Sequence, residues 1–222
     1  MRAVPAAGRW WTSPRLGVGA GVAGFWVAAA LGGRVEPGYD AGQDYLSALA
    51  SVGAAGPQVG LAMFACGAGA LAAASAVVRR LEPTAVLGRR MFIAAAGFVA
   101  VGGLARVRCV DGAAGCNAGP LVVEQVTLAS QVHAAAILGY QVAFSAAMVA
   151  VAVSARRGRR RGLAVLGWTA ALLTPVLALD PLPLSPGWSQ RLWVAAGHAA
   201  LLALAAWPAV SRRAVLGRSD VG

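Results

Sequence analysis

Six apolar runs, at about residues 16–33, 57–78, 91–107, 126–154, 162–179 and 191–210, divide most of the chain between them. Each lies near the ~20 residues that an α-helix needs to cross ~30 Å of hydrocarbon, where every backbone polar group must be satisfied from within. The third is the shortest, because its uncharged stretch from Met91 to Ala105 leaves Arg106 to reach back to the interface. The fourth is long enough to protrude or tilt. The expectation is an all-α polytopic membrane helical bundle with six transmembrane helices, forming one membrane domain over residues 1–222. A hydrophobic content of 59% and a mean hydropathy of +0.68 agree, being far more apolar than a soluble domain of this size.

Orientation follows from the arginines. All 19 basic residues are Arg, in a chain dominated by Ala and Gly, the actinobacterial-like usage of a high-GC genome. The formal charge of +11 suggests nucleic acid, but these arginines fall at the ends of apolar runs rather than on one folded face, so no nucleic-acid partner is expected. The N-terminal segment carries Arg2, Arg9 and Arg15, residues 79–90 carry four arginines, residues 156–161 five, and the C-terminal segment three. Basic connections stay in the cytoplasm. The other connections hold Arg34, Arg106, Arg108 and Arg191 against Glu36, Asp40, Asp44, Asp111, Glu124 and Asp180. Both termini are therefore expected inside, in a multi-pass protein of the bacterial inner membrane. The basic start and the small residues from Ala30 to Gly33 also describe a cleavable signal peptide. The apolar stretch exceeds a usual signal core, which favours a retained helix, and its loss would leave the other orientations unchanged.

Small residues recur within the spans, as at Gly17 and Gly21 and at Gly69 and Ala73, a spacing that lets helix backbones approach closely. Pro175 and Pro208 stand where a kink or a stop is expected.

An outer cap is expected from residues 34–56 and 108–120. In the first of these, EPGYDAGQDYLSALAS, helical spacing puts Asp40, Asp44, Ser47 and Ser51 within roughly a 60° arc, with Tyr45, Leu46, Leu49 and Val52 opposite. This reads as a short amphipathic outer helix, turned in by Pro37 and Gly38, capped by Asp40 with Gln43 as return partner, and ended by Gly53, Gly56 and Pro57. The plain reading rests it on the outer leaflet or the bundle mouth. The sharper one places Asp40, Asp44 and Ser47 over a cavity as ligands or bases. Arg106, Arg108 and Arg191 are candidates to fasten it by pairing with Asp40, Asp44 or Asp111. In the second cap segment Cys109 and Cys116, with glycines between them, form a candidate disulfide, which an outer location permits. Cys66, inside a span, reads as a small buried residue.

His133 and His198 each lie six or seven residues into a span from its outer end, ~10 Å of helical rise, and so can share a layer. Ionisable groups at that depth are costly and are default candidates for function. In one reading His133, His198 and Asp44 hold a metal, zinc being the natural choice, and activate water against a lipid or lipid-linked substrate, with Asp40 or Ser47 assisting. In a second the two histidines ligate haem. In a third His133 joins Gln131, Tyr140 and Gln141 in a polar path for a proton or small solute. The plain alternative gives each histidine one interhelical hydrogen bond. No P-loop, dinucleotide-binding glycine pattern, nucleophile elbow or zincin motif occurs.

PGYDAGQDYLSALASVGAAGP resembles the first outer loop of bacterial and archaeal membrane proteins grouped as domain of unknown function family 998. RCVDGAAGC, the SQVHAA that follows it, and PGWSQRLW are similar to later parts of that family. The resemblance implies six spans over most of the chain and brings no reaction with it; His198 stands where that family more often has an aromatic or aliphatic residue. The leading expectation is a non-enzymatic protein, without a cofactor, that binds membrane lipids or a protein partner at its outer face. The alternative is the metal-dependent hydrolase. Oligomeric state is not legible from the sequence.

Overall fold

The computed structural model describes residues 13–52, 54–82, 85–106, 127–179 and 183–208. These form α1 (Pro14–Val35), a 3-10 helix over Leu46–Ala50, α2 (Pro57–Leu81), α3 (Val86–Leu104), α4 (Leu128–Arg157), α5 (Arg161–Ala178) and α6 (Pro186–Ala206), with no strand among the described residues. Five helices, α1 to α5, are long and apolar enough to cross a membrane, so the fold is that of an all-helical, multi-pass membrane protein. α6 has the length, but Ser189, Gln190, Arg191 and His198 dilute its apolar character. Cys109, Cys116, Arg108 and Asp111 lie outside the described residues, and with them the cap segment 108–120.

Local chemistry sets the helix ends. Pro14, Pro57 and Pro186 open α1, α2 and α6, where a missing N–H costs no intrahelical bond. Thr127 caps α4, its hydroxyl accepting the N–H of Ser130 at 3.2 Å. Arg79 and Arg80 close α2, and Arg156 and Arg157 close α4, placing cations at the negative ends of the helix dipoles. α3 begins at Val86, taking Arg89 and Arg90 into the helix before the apolar stretch that starts at Met91. α5 runs through Pro175 to Ala178, while Pro208 stands two residues beyond the end of α6.

Consecutive helices pack side by side from α1 to α6, and α6 returns against α1 and α2. The α1–α2 seam depends on small residues. A Cβ at Gly21 would lie 2.8 Å from the Cys66 carbonyl oxygen and the Ala70 nitrogen, and one at Gly17 would lie 3.0 Å from Ala73 Cβ. Gly69 has nothing within 4 Å, so of the two small-residue pairs only Gly17 and Gly21 serve this contact as a pair. Cys66 is half-buried there and free.

The alternating helices gather like with like. One end, the arginine end, carries Arg15, Arg79, Arg80, Arg89, Arg90, Arg156, Arg157, Arg159, Arg160 and Arg161, with Glu82 as its acid among the described residues. It is laced by Arg15, which donates to the Trp207 carbonyl at 2.6 Å, and by Arg160, which donates to the Leu81 carbonyl and pairs with Glu82 at 3.1 Å. The opposite end, the cap end, holds Arg34, Arg106 and Arg191 with Glu36, Asp40 and Asp44.

The connector from α1 to α2 departs from the amphipathic helix expected from Asp40 onward. Residues 41–44 are turns, and the helical part is the five-residue 3-10 segment Leu46–Ala50. Its faces also differ from expectation: Asp44 and Ser51 are buried at 1% exposure each, while Tyr45 and Val52 are exposed at 46% and 43%. Aspartate side chains compete with helix here, because they offer the backbone local partners. Asp40 Oδ1 accepts the Gly42 N–H at 2.7 Å, and Asp44 Oδ2 accepts the Asp40 N–H at 2.7 Å. The Leu46 N–H, which an α-helix would turn back on its own chain, goes to Gln190 Oε1 of α6 at 2.5 Å.

Candidate functional site

The cap end is built around this connector. Pro37 and Gly38, the latter with φ of 74°, turn the chain out of α1, and the Tyr39 N–H closes the turn on the Glu36 carbonyl at 3.3 Å. Glu36 then accepts the Ala55 N–H at 2.6 Å, drawing the two ends of the loop together. Between them the chain is sewn to its neighbours. Ser185 donates to the Gly42 carbonyl, Arg191 donates to the carbonyls of Asp44 and Gly187 at 2.9 Å each and to the Tyr39 hydroxyl, and its guanidinium sits 5.6 Å from the Tyr39 ring centroid. From α3, Arg106 donates to the carbonyls of Ala50 and Ser51 at 2.9 and 2.6 Å.

Arg106 and Arg191 thus fasten the cap, as their positions suggested, but through backbone carbonyls rather than by ion pairs with Asp40 or Asp44. A short irregular segment leaves carbonyls that its own turns cannot satisfy, and a guanidinium supplies several donors from one side chain. Two glycines permit the close seating. A Cβ at Gly60 of α2 would lie 2.3 Å from the Leu49 carbonyl oxygen, and one at Gly187 of α6 would lie 2.6 Å from that of Ala41.

Asp44 lies inside this seam. Its Oδ2 is bonded to the Asp40 N–H, and its Oδ1 is buried without a partner. Burial pushes its carboxyl above the usual carboxylate range, helped by the charge of Asp40 and opposed by the Asp40 N–H and Arg191. The Tyr39 hydroxyl is likewise raised, first by burial, against the lowering influence of Arg191. Asp40 is exposed and Ser47 half-buried.

Beside Arg191 a groove of about 310 Å³ runs along α1, walled by Trp26, Ala29, Ala30 and Gly33 on one side and by Tyr39, Leu46 and Arg191 on the other. Trp26, at its deep end, meets the ring of His198 edge-on at 5.8 Å. His198 is 9% exposed, also stands edge-on to Phe25 at 4.7 Å, and leaves Nδ1 without a partner. His133 sits elsewhere: its Nδ1 bonds the Gly102 carbonyl of α3 at 2.7 Å, and its ring faces Phe64 of α2 at 6.1 Å.

Of the candidates, then, Asp40 and Asp44 come together, whereas His133 belongs to the α3–α4 contact and His198 to the α1–α6 contact. No group of three His, Cys, Asp or Glu side chains converges among the described residues. His133 and Gln141, read together in one polar path, make their described bonds to different helices. Gln141 is enclosed by Trp193, whose Nε1 donates to it at 2.6 Å, and donates in turn to Thr174 and Ser145 at 3.0 and 3.3 Å. This buried network ties α4, α5 and α6 together.

Sequence reasoning passed over Gln190, Trp26 and the Glu82–Arg160 pair. Two of these carried a signal. Gln190 adjoins Arg191 at the polar start of an otherwise apolar run, and Glu82 is the single acid in the four-arginine connection.

A family model described as Protein of unknown function (DUF998) matches residues 19–207, a span that includes every stretch on which the resemblance was read. No curated protein and no solved structure matches the chain.

Proposed function

Since the chain belongs to this family of proteins of unknown function, its role has to be read from its own geometry, and we propose that it binds an anionic lipid in the groove between α1 and the cap. In this reading all six helices cross the bacterial inner membrane and both termini are cytoplasmic. Arginine bias supports that orientation, because the connections at the arginine end would then face inward. The cap end faces out, where an oxidising compartment would permit Cys109 and Cys116 to join as a disulfide.

The observation that carries the reading is the pairing of an apolar groove with a guanidinium whose hydrogen-bond partners among the described residues are neutral. Arg191 donates to two carbonyls and a hydroxyl, and among the described residues no carboxylate lies within ion-pair distance of it. An acyl chain fits along Trp26, Ala29 and Ala30, with its anionic headgroup at Arg191. Binding without chemistry is favoured over lipid hydrolysis, which needs His133, His198 and Asp44 at one centre. Their described partners draw them to separate contacts.

The test uses phosphatidylglycerol bearing a diazirine on one acyl chain, photolysed with the detergent-purified chain. Adducts are expected on residues 26–33 and are lost in Ala30→Trp, which fills the groove from an exposed position and leaves the cap bonds in place. Adducts spread evenly over all helices, or unchanged in Ala30→Trp, would end the proposal.

A further inference from the structure

At the arginine end a cavity of about 280 Å³ opens between the start of α1 and the end of α2, walled by Ser13, Arg15, Val77, Arg80 and Leu81. Two arginines from separate helices, Arg15 and Arg80, line it. The nearby acid, Glu82, is engaged elsewhere, with Arg160 at 3.1 Å, the one ion pair among the described residues, and with the Ser154 hydroxyl at 3.3 Å. Arg15 is held by a neutral acceptor, the Trp207 carbonyl, and Arg80 is exposed. The Ser13 hydroxyl makes no helix-capping bond and is left as a donor on the rim. Like charges gathered at one cavity repel unless an anion lies between them.

We infer that this cavity is a phosphate site, in which Arg15 and Arg80 hold the anion from two sides and Ser13 adds a neutral donor. Guanidinium forks match phosphate oxygens in geometry as well as charge. Val77 and Leu81 give the site an apolar wall, which suits a phosphodiester bearing acyl chains as well as a free phosphate. The site is independent of the groove at the cap end, since no residue is shared.

Native mass spectrometry of the detergent-purified full chain tests it with three probes: dioleoyl phosphatidylglycerol, dioleoyl phosphatidylcholine and inorganic phosphate. The variants are Arg80→Gln and, as a control, Arg90→Gln, an exposed arginine at the same end that does not line the cavity. Arg80 is chosen over Arg15 because it makes no bond that the fold needs. All measurements are made in the Ala30→Trp background, which removes the groove from the count.

A lipid headgroup as occupant predicts phosphatidylglycerol retained over phosphatidylcholine, weakened roughly fivefold by Arg80→Gln. A free phosphate as occupant predicts saturable binding of inorganic phosphate with the same sensitivity. In both cases Arg90→Gln leaves binding unchanged. Equal loss in the two variants would reveal a diffuse basic surface and overturn the site, as would binding that ignores Arg80→Gln.

Discussion

At the cap end Arg106 and Arg191 are half-buried and donate to four backbone carbonyls, whereas at the arginine end Arg79, Arg80, Arg90, Arg156, Arg157, Arg159 and Arg161 stand exposed. The residue type is the same and the surroundings differ. The cap is an irregular segment seated in the bundle mouth, so its carbonyls need donors that regular secondary structure does not supply. The other end is formed by regular helix termini, where Arg15 and Arg160 donate to the Trp207 and Leu81 carbonyls and the seven exposed arginines serve no such carbonyl among the described residues. An arginine is structural where backbone is left unsatisfied away from water, and electrostatic where it is not.

The sharpest way to break the comparison is at the floor of the cap. Gly60→Ala would set a Cβ 2.3 Å from the Leu49 carbonyl oxygen and 2.5 Å from the Ala50 nitrogen, backbone atoms that cannot rotate aside. The expected loss is about 3 kcal/mol, the upper range for overpacking, with the cap released from α2. Thermal unfolding in detergent measures the loss, and amide exchange over residues 46–51 measures the release. Gly69→Ala is the matched control on the same helix, since nothing lies within 4 Å of its Cβ. It is expected to hold or raise the midpoint, alanine being the better helix former.

Next in size is the exchange of arginine for glutamine at each end. Arg106→Gln removes two charge-assisted bonds and leaves the Ala50 and Ser51 carbonyls in the seam, a cost of about 2 kcal/mol. Arg90→Gln, at an exposed site, is expected to stay within about 0.5 kcal/mol of the parent. Equal effects in the paired melting curves would show that the two ends do not differ in the way described.

The same contrast explains what the sequence disclosed. Helices, their order and the sorting of charge between ends were legible, because a run such as 57–78 has few ways to satisfy its backbone other than as α2. The α1–α2 connector was legible as a break between two helices and misread as a conformation. Helical spacing assigned Asp44 to a polar face, but its carboxylate turns back on the Asp40 N–H, and Gln190, 144 positions away, takes the N–H of Leu46. Periodicity reports which face a regular element buries and is silent about long-range bonds that replace regularity. The histidines show the same limit. Counting residues led to the expectation of a shared depth, but which neighbours they meet is a choice made by helix rotation within the bundle: His133 turns to Gly102 and His198 to Phe25.

A smaller effect is expected at the turn between α4 and α5. Arg159 has φ of 57°, the left-handed region that a side chain disfavours, and the Arg160 N–H closes the turn on the Ala155 carbonyl at 2.8 Å. Arg159→Gly is expected to raise stability by about 1 kcal/mol, seen as a higher unfolding midpoint, because its exposed guanidinium carries no bond that the turn requires. A matching substitution at the cap end, Arg191→Gly, is expected to lower the midpoint instead. Opposite signs for the two would sharpen the division between structural and electrostatic arginines.

The smallest effect concerns protons at Asp44. Burial raises its carboxyl above the ordinary value of 3.8, while the Asp40 N–H and Arg191 pull the other way, so the net shift is a difference between opposed influences. The folded cap therefore binds this proton more tightly than the unfolded chain does. Stability from that preference is fully present below the unfolded value and is lost as pH rises through the raised, folded one. Between pH 7 and the ordinary carboxylate range, acidification should slow amide exchange over residues 46–51 in the parent chain. Asp44→Asn cannot titrate at this position, so the difference between parent and variant isolates the contribution of Asp44. At the arginine end, amides near the Glu82–Arg160 pair should show no parent-to-variant difference at any pH. An identical pH profile for both proteins over residues 46–51 would mean that Asp44 reaches solvent when the cap is closed, and that the seam beneath Arg191 is wet.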